Sequence, residues 1–337
     1  MARIQPTLSP NPRERLCYIE SLRKNPYRIA SRGGLQWLEC PALARWGWLV
    51  HAFSTRHGGV TRGIARGLNL GFIESASRAN VEKNRKRFLA AIGAEDFSLL
   101  TLRQVHSTNI FRVVRDDEGA IRYFPAGSPA PQALGGKIPV GDALVTDQPG
   151  ILLSVRTADC LPILIIDPRH RAIAALHAGW RGALERLAEK VAGVMRAVFK
   201  SDPTQVIAVI GPGIRACCYG VGEEVISAFN GRFMGPERFF RPVPASDLAS
   251  RLKAGHSRQS LARDPPGRAA EKSPATHLDL TAAVCDQLHE AGLRPGRIHD
   301  LGLCTACRTD WFYSHRREGP TTGRMMAIIG IKPGDRS

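Results

Sequence analysis

Thr157-Ala-Asp-Cys-Leu-Pro-Ile-Leu-Ile-Ile-Asp-Pro-Arg-His-Arg-Ala-Ile-Ala-Ala-Leu-His-Ala-Gly-Trp-Arg-Gly182 holds two short apolar runs separated by a polar turn. Leu161–Ile166 is too short for a helix and rich in β-branched residues, which reads as a buried strand. Asp167-Pro-Arg-His170 is a turn by composition, and Arg171–His177 reads as a second strand. A hairpin closed by the loop 167–170 pairs Ile166 with Arg171, and the same register places Cys160 opposite His177. Directly opposed side chains have Cβ atoms about 4.5–5.5 Å apart. That spacing suits two ligands of one zinc, and it suits a Cys–His nucleophile and base equally well. The plain alternative is a small buried thiol beside a satisfied core histidine. A one-residue slip would put the two side chains on opposite faces.

Further strands are expected at Ala143–Thr146 and Ile151–Arg156, across the turn Asp147-Gln-Pro-Gly150, and at Val206–Ile210 before Gly211-Pro-Gly213. A helix is expected from Ala183 to Phe199, with Leu184, Leu187, Ala188, Val191, Met195 and Val198 on one face. Strands alternating with helices make an α/β body. Arg181 and Gly182 would then open that helix. Its unpaired N–H groups and positive dipole end offer a phosphate site close to His177. Gly179 and Gly182 would serve a tight strand-to-helix turn just as well.

The chain has 337 residues, 43% of them hydrophobic and 23% charged, an ordinary globular composition. A membrane span needs about 20 apolar residues, and nothing here approaches that length, so no membrane partner is expected. The N-terminus lacks the pattern of a secretory signal. Net charge is +17. Residues 1–45 hold eight basic and three acidic residues, and 231–276 hold nine and four. Basic charge is thus concentrated in segments without aromatic interleaving or a recognition helix, so no specific nucleic-acid binding is expected. Residues 1–35 read as a basic, loosely ordered extension and 36–337 as the catalytic domain. A basic insertion is expected to be disordered at about 231–276. A helix around Leu280–Glu290 stops at Gly292.

Eight cysteines are too few for a disulfide scaffold of this size. They are read as reduced thiols of a cytoplasmic protein. Cys304 and Cys307 form a C-x-x-C without a second such pair, which argues for packed thiols. Cys217 and Cys218 are adjacent, would point to opposite sides if extended, and are read as structural.

Taken together, several motifs resemble one family. They are Ser54-Thr-Arg-His-Gly-Gly59, Leu68-Asn-Leu-Gly71, Gln104-Val-His-Ser107, Asp142-Ala-Leu-Val-Thr146, Thr157-Ala-Asp-Cys160 and His177-Ala-Gly-Trp-Arg-Gly182. Gly211-Pro-Gly-Ile214, Cys217-Cys-Tyr219, Cys304-Thr305, Phe312-Tyr-Ser-His-Arg-Arg317 and Thr322-Gly-Arg324 follow in the same order. Over roughly 45–332 the chain resembles the multicopper polyphenol oxidase, or laccase-domain, family. That family is also known as a purine nucleoside phosphorylase family and includes the peptidoglycan editing factor. Three positions depart from its usual pattern: Gly220, Val284 and Glu318.

The resemblance implies a single layered α/β domain with mixed β-sheets flanked by helices, of the laccase-domain, cytotoxic-necrotizing-factor-like type. It implies one Zn2+, with copper as the other candidate, held by His106, Cys160 and His177. It also implies phosphorolysis of adenosine, inosine and methylthioadenosine, with adenosine deamination. The partners are then a purine nucleoside and phosphate. Arg56, Arg181, Arg316 and Arg317 are candidates for phosphate, or else for structural ion pairs or a solvated face. Asp159 is a candidate to orient a ligand or carry a proton, or else a plain turn residue. Asn69 is a candidate for the sugar, or else a turn residue. Hydrolytic editing of a peptidoglycan precursor in the same cleft is the alternative activity. Polyphenol oxidation is the weaker one, because ten histidines without a His-x-His do not furnish a multicopper cluster.

Overall fold

Five apolar runs have no face to spare for solvent. Ile151–Thr157, Leu161–Asp167, Ala172–Ala178, Ile207–Ile210 and Met325–Ile331 are buried along all or nearly all of their length. Strands of this kind need cover on both sides. A computed structural model, describing residues 26–134, 136–242 and 276–334, shows where that cover comes from.

In chain order the strands begin with β1 (Arg28–Arg32), β2 (Leu35–Glu39), β3 (Leu49–Ser54), β4 (Ser98–Leu100) and β5 (Ile110–Arg115). Next come β6 (Ile121–Pro125), β7 (Ala143–Thr146), β8 (Ile151–Thr157), β9 (Leu161–Asp167) and β10 (Ala172–Ala178). The last are β11 (Ile207–Ile210), β12 (Phe240–Pro242), β13 (Thr276–Leu278), β14 (Ile298–Asp300) and β15 (Met325–Ile331). The α-helices are α1 (Arg78–Ile92), α2 (Trp180–Leu184), α3 (Leu187–Phe199), α4 (Glu223–Asn230), α5 (Leu280–Glu290) and α6 (His315–Glu318).

One large sheet has the order β1-β2-β3-β15-β8-β4 and the other β14-β11-β9-β10-β7-β5-β6, while β12 and β13 form a separate antiparallel pair. Both large sheets are mixed: β4–β8, β5–β7 and β11–β14 pair in parallel, the rest antiparallel. Alternation along each strand sorts the core into layers. Leu153 and Val155 of β8 meet Leu164 and Ile166 of β9 between the sheets. Ile163 and Ile165 point the other way, onto Val191 and Met195 of α3 and Leu288 of α5. Leu152 of β8 and Ile328 of β15 pack beneath Phe88 of α1. The result is helix, sheet, sheet, helices, the layered mixed α/β architecture expected.

The β9–β10 hairpin forms with a corrected register. Ile166 pairs with Ile173 and Asp167 with Ala172, so the loop is Pro168–Arg171 and His177 faces Pro162. Asp167 stays in the strand because its carboxylate accepts from the backbone N–H groups of Arg169 and His170 at 2.9 and 3.2 Å. Arg171 closes the turn at φ 50°. The pairing has slipped by two residues, which preserves faces. Cys160 and His177 are therefore diagonal neighbours on one face, not direct opposites.

The expected helix over 183–199 is two helices. Arg186 sits at φ 60°, a left-handed conformation that interrupts the ladder. It is held there by ion pairs to Glu189 and to Glu290 of α5. Gln287 donates to the Ala183 carbonyl at 2.7 Å, satisfying the end of α2. Arg181 and Gly182 consequently lie within α2 and do not open the longer helix. The basic extension also ends earlier than expected, since 28–32 and 35–39 pair as a hairpin; residues 1–25 lie outside the described residues. Of the expected insertion, 231–242 is ordered. Phe239 is buried and packs edge-on against Phe229 and Phe233. Those aromatic anchors outweigh the Gly/Pro/Arg composition. Residues 243–275 lie outside the described residues. Helix α5 matches its expected bounds, with Gly292 at φ 96° after it. No helix among the described residues is long and apolar enough to cross a membrane.

Candidate metal centre and its basic rim

Three chain segments converge at one end of the β9–β10 hairpin. Cys160 precedes β9, His177 is near the end of β10, and His106 lies in the loop between β4 and β5. Their ligand atoms all lie within 4.8 Å of one another. Cys160 Sγ is 3.6 Å from His106 Nε2, and the two imidazoles meet edge to face with centroids 4.8 Å apart. Gly179 stands level with Cys160 in the hairpin register. A Cβ there would come within 2.8 Å of the His106 ring and 2.9 Å of Cys160 Sγ. The glycine is thus required by close approach, its φ of −84° being ordinary.

Asp142, immediately before β7, organises the centre. Its carboxylate accepts from the backbone N–H groups of Val105, His106 and Ser107 at 3.3, 3.1 and 2.6 Å, and from the Ser107 hydroxyl at 2.8 Å. These bonds hold the loop in which His106 adopts φ 60°. The same carboxylate accepts from His177 Nδ1 at 2.8 Å, which leaves Nε2 for the centre. A carboxylate behind a ligating histidine fixes its tautomer and raises its basicity. Asp142 stood in a quoted motif, yet nothing local to the sequence marked it as a partner of residues 35 positions away.

Burial alone would raise the Cys160 thiol, but His177 and His106 outweigh it and bring it down to about 6. Burial likewise disfavours the charged imidazole of His177, while Cys160 and Asp142 raise it to about 9. Without a metal the pair is therefore thiolate and imidazolium: Cys160 is already in its ligating form, and His177 has to release its Nε2 proton to ligate a cation.

Asp159 is buried at φ 100°. Its carboxylate accepts from the Thr305 hydroxyl at 2.6 Å and from the Arg316 backbone N–H at 2.7 Å. Burial pushes its pKa up, against these bonds. It ties the corner before Cys160 to the start of α6. Arg316 stacks over Tyr219 with Cζ 5.4 Å from the ring, and its guanidinium has no carboxylate partner among the described residues. Exposed Arg181 stacks on Trp180 at 4.3 Å and likewise has none. Tyr219, raised chiefly by burial, feels the charges of Cys160, Arg316 and Arg181 together, which places all four in one neighbourhood. Arg324 feels Cys160 and Asp159, and His315 feels Arg324, Asp159, Arg316 and His106. Tyr219, Arg324 and His315 were present in quoted motifs but carried no assigned role.

Two expected site residues are occupied elsewhere. Arg56 Nη1 donates to the carbonyls of Thr309 and Phe312 and pairs with Glu318 Oε1 at 2.7 Å. Its guanidinium also covers the Tyr313 ring at 4.5 Å. It clamps a loop, which is the structural ion pair weighed beside its phosphate role. Asn69 is fully buried, with Oδ1 accepting from the Gly71 and Arg324 N–H groups and Nδ2 donating to the Gly71 carbonyl. It builds the turn and presents no atom to a sugar. The reading of Cys217, Cys218, Cys304 and Cys307 as separate packed thiols also needs correction, because their four sulfurs meet.

A layered α/β domain thus carries a Cys-His-His cluster with the ligand types of a metal centre, and beside it two arginines without carboxylate partners among the described residues. The chain belongs to the multi-copper polyphenol oxidoreductase laccase family, whose model matches residues 50–332. A protein of Deinococcus radiodurans named purine nucleoside phosphorylase is 34% identical over 301 residues, covering 88% of this chain and 94% of that one. A protein of an unknown prokaryotic organism named adenosine deaminase RL5 is 31% identical, covering 83% of this chain and 93% of its own. The crystal structure of YlmD from Geobacillus stearothermophilus superposes with a TM-score of 0.69 at 29% identity, covering 92% of this chain and all of the other.

Proposed function

We propose that this chain is a zinc-dependent purine nucleoside phosphorylase acting on adenosine, inosine and methylthioadenosine, with accompanying adenosine deamination. The observation that carries the reading is the placement of Arg316 and Arg181, without carboxylate partners, beside the His106–Cys160–His177 centre. Two guanidiniums that make no ion pair with a carboxylate among the described residues are suited to an anionic co-substrate such as phosphate. The names of the relatives point the same way.

The donor set fits zinc: one thiolate and two imidazoles within reach of one another, a glycine-lined cradle, and a carboxylate orienting one imidazole. His106, Cys160 and His177 would hold the ion, which when bound supplies Lewis acidity and a water of lowered pKa at an open position. Asp142 keeps His177 with Nε2 turned to the centre. Asp159 acts through Arg316, setting the backbone from which that guanidinium reaches the anion. Tyr219 packs under Arg316 and limits its rotamers. The described cysteines are thiols rather than disulfides, which supports a reducing compartment such as the cytoplasm.

A second reading rests on the low pKa of Cys160. With no metal bound, Cys160 would be a nucleophile with His177 as base, and the protein a hydrolase of a cell-wall precursor. Polyphenol oxidation by a copper cluster finds less support. Only His106 and His177 join Cys160 among the described residues, whereas His51 lies elsewhere, accepting from the Cys40 N–H.

The deciding assay measures phosphate-dependent release of purine base from adenosine and inosine, with metal content measured on the same sample. Activity that is lost with the metal in Cys160→Ala supports the phosphorylase. For Arg316→Ala, we expect KM for phosphate to rise at least about tenfold, the order of a lost charge-assisted contact, with KM for the nucleoside changing less. Bound zinc without purine turnover would overturn the reading.

A further inference from the structure

One side-chain cluster lies outside this chemistry. The sulfurs of Cys217, Cys218, Cys304 and Cys307 all lie within 4.8 Å of one another. Cys217 and Cys218 Sγ are 3.5 and 3.4 Å from Cys307 Sγ. A tetrahedral zinc with Zn–S bonds of about 2.3 Å has sulfur–sulfur edges of about 3.8 Å. A disulfide requires about 2.05 Å, well short of the 3.4 and 3.5 Å separations here. A polynuclear iron–sulfur cluster would spread its thiolates wider, since they sit on different irons.

The local folding explains how four such distant positions meet. Adjacent cysteines diverge in a strand, but here Cys218 and Tyr219 N–H groups both donate to the Arg215 carbonyl, at 2.8 and 2.9 Å. That turn brings both sulfurs to one side. Cys304 and Cys307 flank a second turn, in which the Arg308 N–H donates to the Cys304 carbonyl at 3.1 Å. The two loops follow β11 and β14, which are parallel neighbours. Their pairing extends past the strands as a bridge between Gly213 and Cys304. Only Cys304 is buried, while Cys217 and Cys307 are exposed. Cys304 and Cys218 pack with Ile214 and Ala306, but apolar packing does not account for the two exposed thiols that meet them.

We propose that Cys217, Cys218, Cys304 and Cys307 form a tetrathiolate site for a single structural zinc ion, separate from the His106–Cys160–His177 centre. Four thiols bind as thiolates and release their protons to solvent, leaving a net charge of −2 on the complex. Arg317 stands ready to offset it, with Nη2 3.6 Å from Cys218 Sγ and Nε donating to the Ala306 carbonyl at 3.1 Å. The ion fastens one wall of the catalytic cleft. Thr305, between the two C-x-x-C cysteines, donates to Asp159, and Tyr219 directly follows Cys218.

The test is metal analysis of the full chain purified in zinc without chelator. Wild type should carry about two zinc ions per chain, and Cys160→Ala and Cys307→Ser about one each. Cys307→His should retain about two, because Cys3His is an equally good structural set. Cobalt exchanged into Cys160→Ala should give thiolate charge-transfer bands and the d–d bands of a tetrahedral tetrathiolate. This spectroscopic readout does not depend on the Cys307 variants folding. About one zinc in wild type, with none in Cys160→Ala, would overturn the proposal. Iron or copper at the four thiols, or a disulfide among them under reducing purification, would overturn it too. Loss of purine activity with both zincs present would count against the phosphorylase reading alone.

Discussion

Asp142 shows how much one carboxylate can set. It accepts four bonds from the His106 loop and one from His177, so two ligands depend on it. Asp142→Asn removes the charge while keeping the shape. Zinc affinity should fall about 10–100-fold, read by competition with a chromogenic chelator. Cys160 offers a second check. In metal-free protein its thiolate persists above a pKa of about 6. Iodoacetamide alkylation should therefore be fast at neutral pH and fall off only as pH drops through about 6. In His177→Ala the midpoint should move upward, because the principal opposing charge is gone. A midpoint at the ordinary thiol value in wild type would disprove the ion pair. Cys160 and His177 were legible in the sequence through residue type and hairpin register, His106 through its motif's resemblance to the family, and Asp159 through its place beside Cys160. Asn69 and Arg56 have the same legible types, but their partners decide their use, and those partners lie far away in the chain.

At the scale of elements, the apolar period located β7 to β11 and α5 to within a residue, and left the other strands of the described residues unplaced. It failed where a backbone conformation was chosen by distant contacts. Arg186 breaks the helix because Glu189 and Glu290 hold it, and the hydrophobic positions on either side continue as if nothing had happened. The hairpin loop moved by one residue because the Asp167 side chain satisfied its own turn. Helix α5, by contrast, starts on a local signal: Asp279 Oδ1 accepts from the Ala282 N–H at 3.0 Å. Asp279→Ala should cost about 1 kcal/mol, measured as a shift in urea midpoint at fixed zinc. Its ion pair with Arg241 adds little, since Arg241 is largely exposed.

Over the whole molecule, stability rests on apolar layers and the site on where those layers end. Leu153 is fully buried between the two sheets, in the cluster that also holds Leu164 and Ile173. Leu153→Ala should cost about 2–5 kcal/mol, measured by chemical unfolding with zinc held constant, because bound metal shifts apparent stability. The metal ligands should keep their affinity for zinc in the folded fraction. Coupled loss of affinity in folded protein would show that inter-sheet packing, beyond the hairpin end and Asp142, sets the ligand geometry.

The sequence by itself determined the strand runs and the α/β class, because these are written in residue type and short-range period, and its motifs resembled the family that implies His106, Cys160 and His177 as ligands. Tertiary structure alone decided that Asp142 orients His177, that Arg56 is spent on Glu318 while Arg316 and Arg181 stay unpaired, and that four cysteines from two distant loops share one point in space. The physical reason is range. A turn, a strand or a helix face is specified within a few residues. Hydrogen-bond partners, ion pairs and metal ligands are selected by whichever groups the packed sheets bring within about 4 Å.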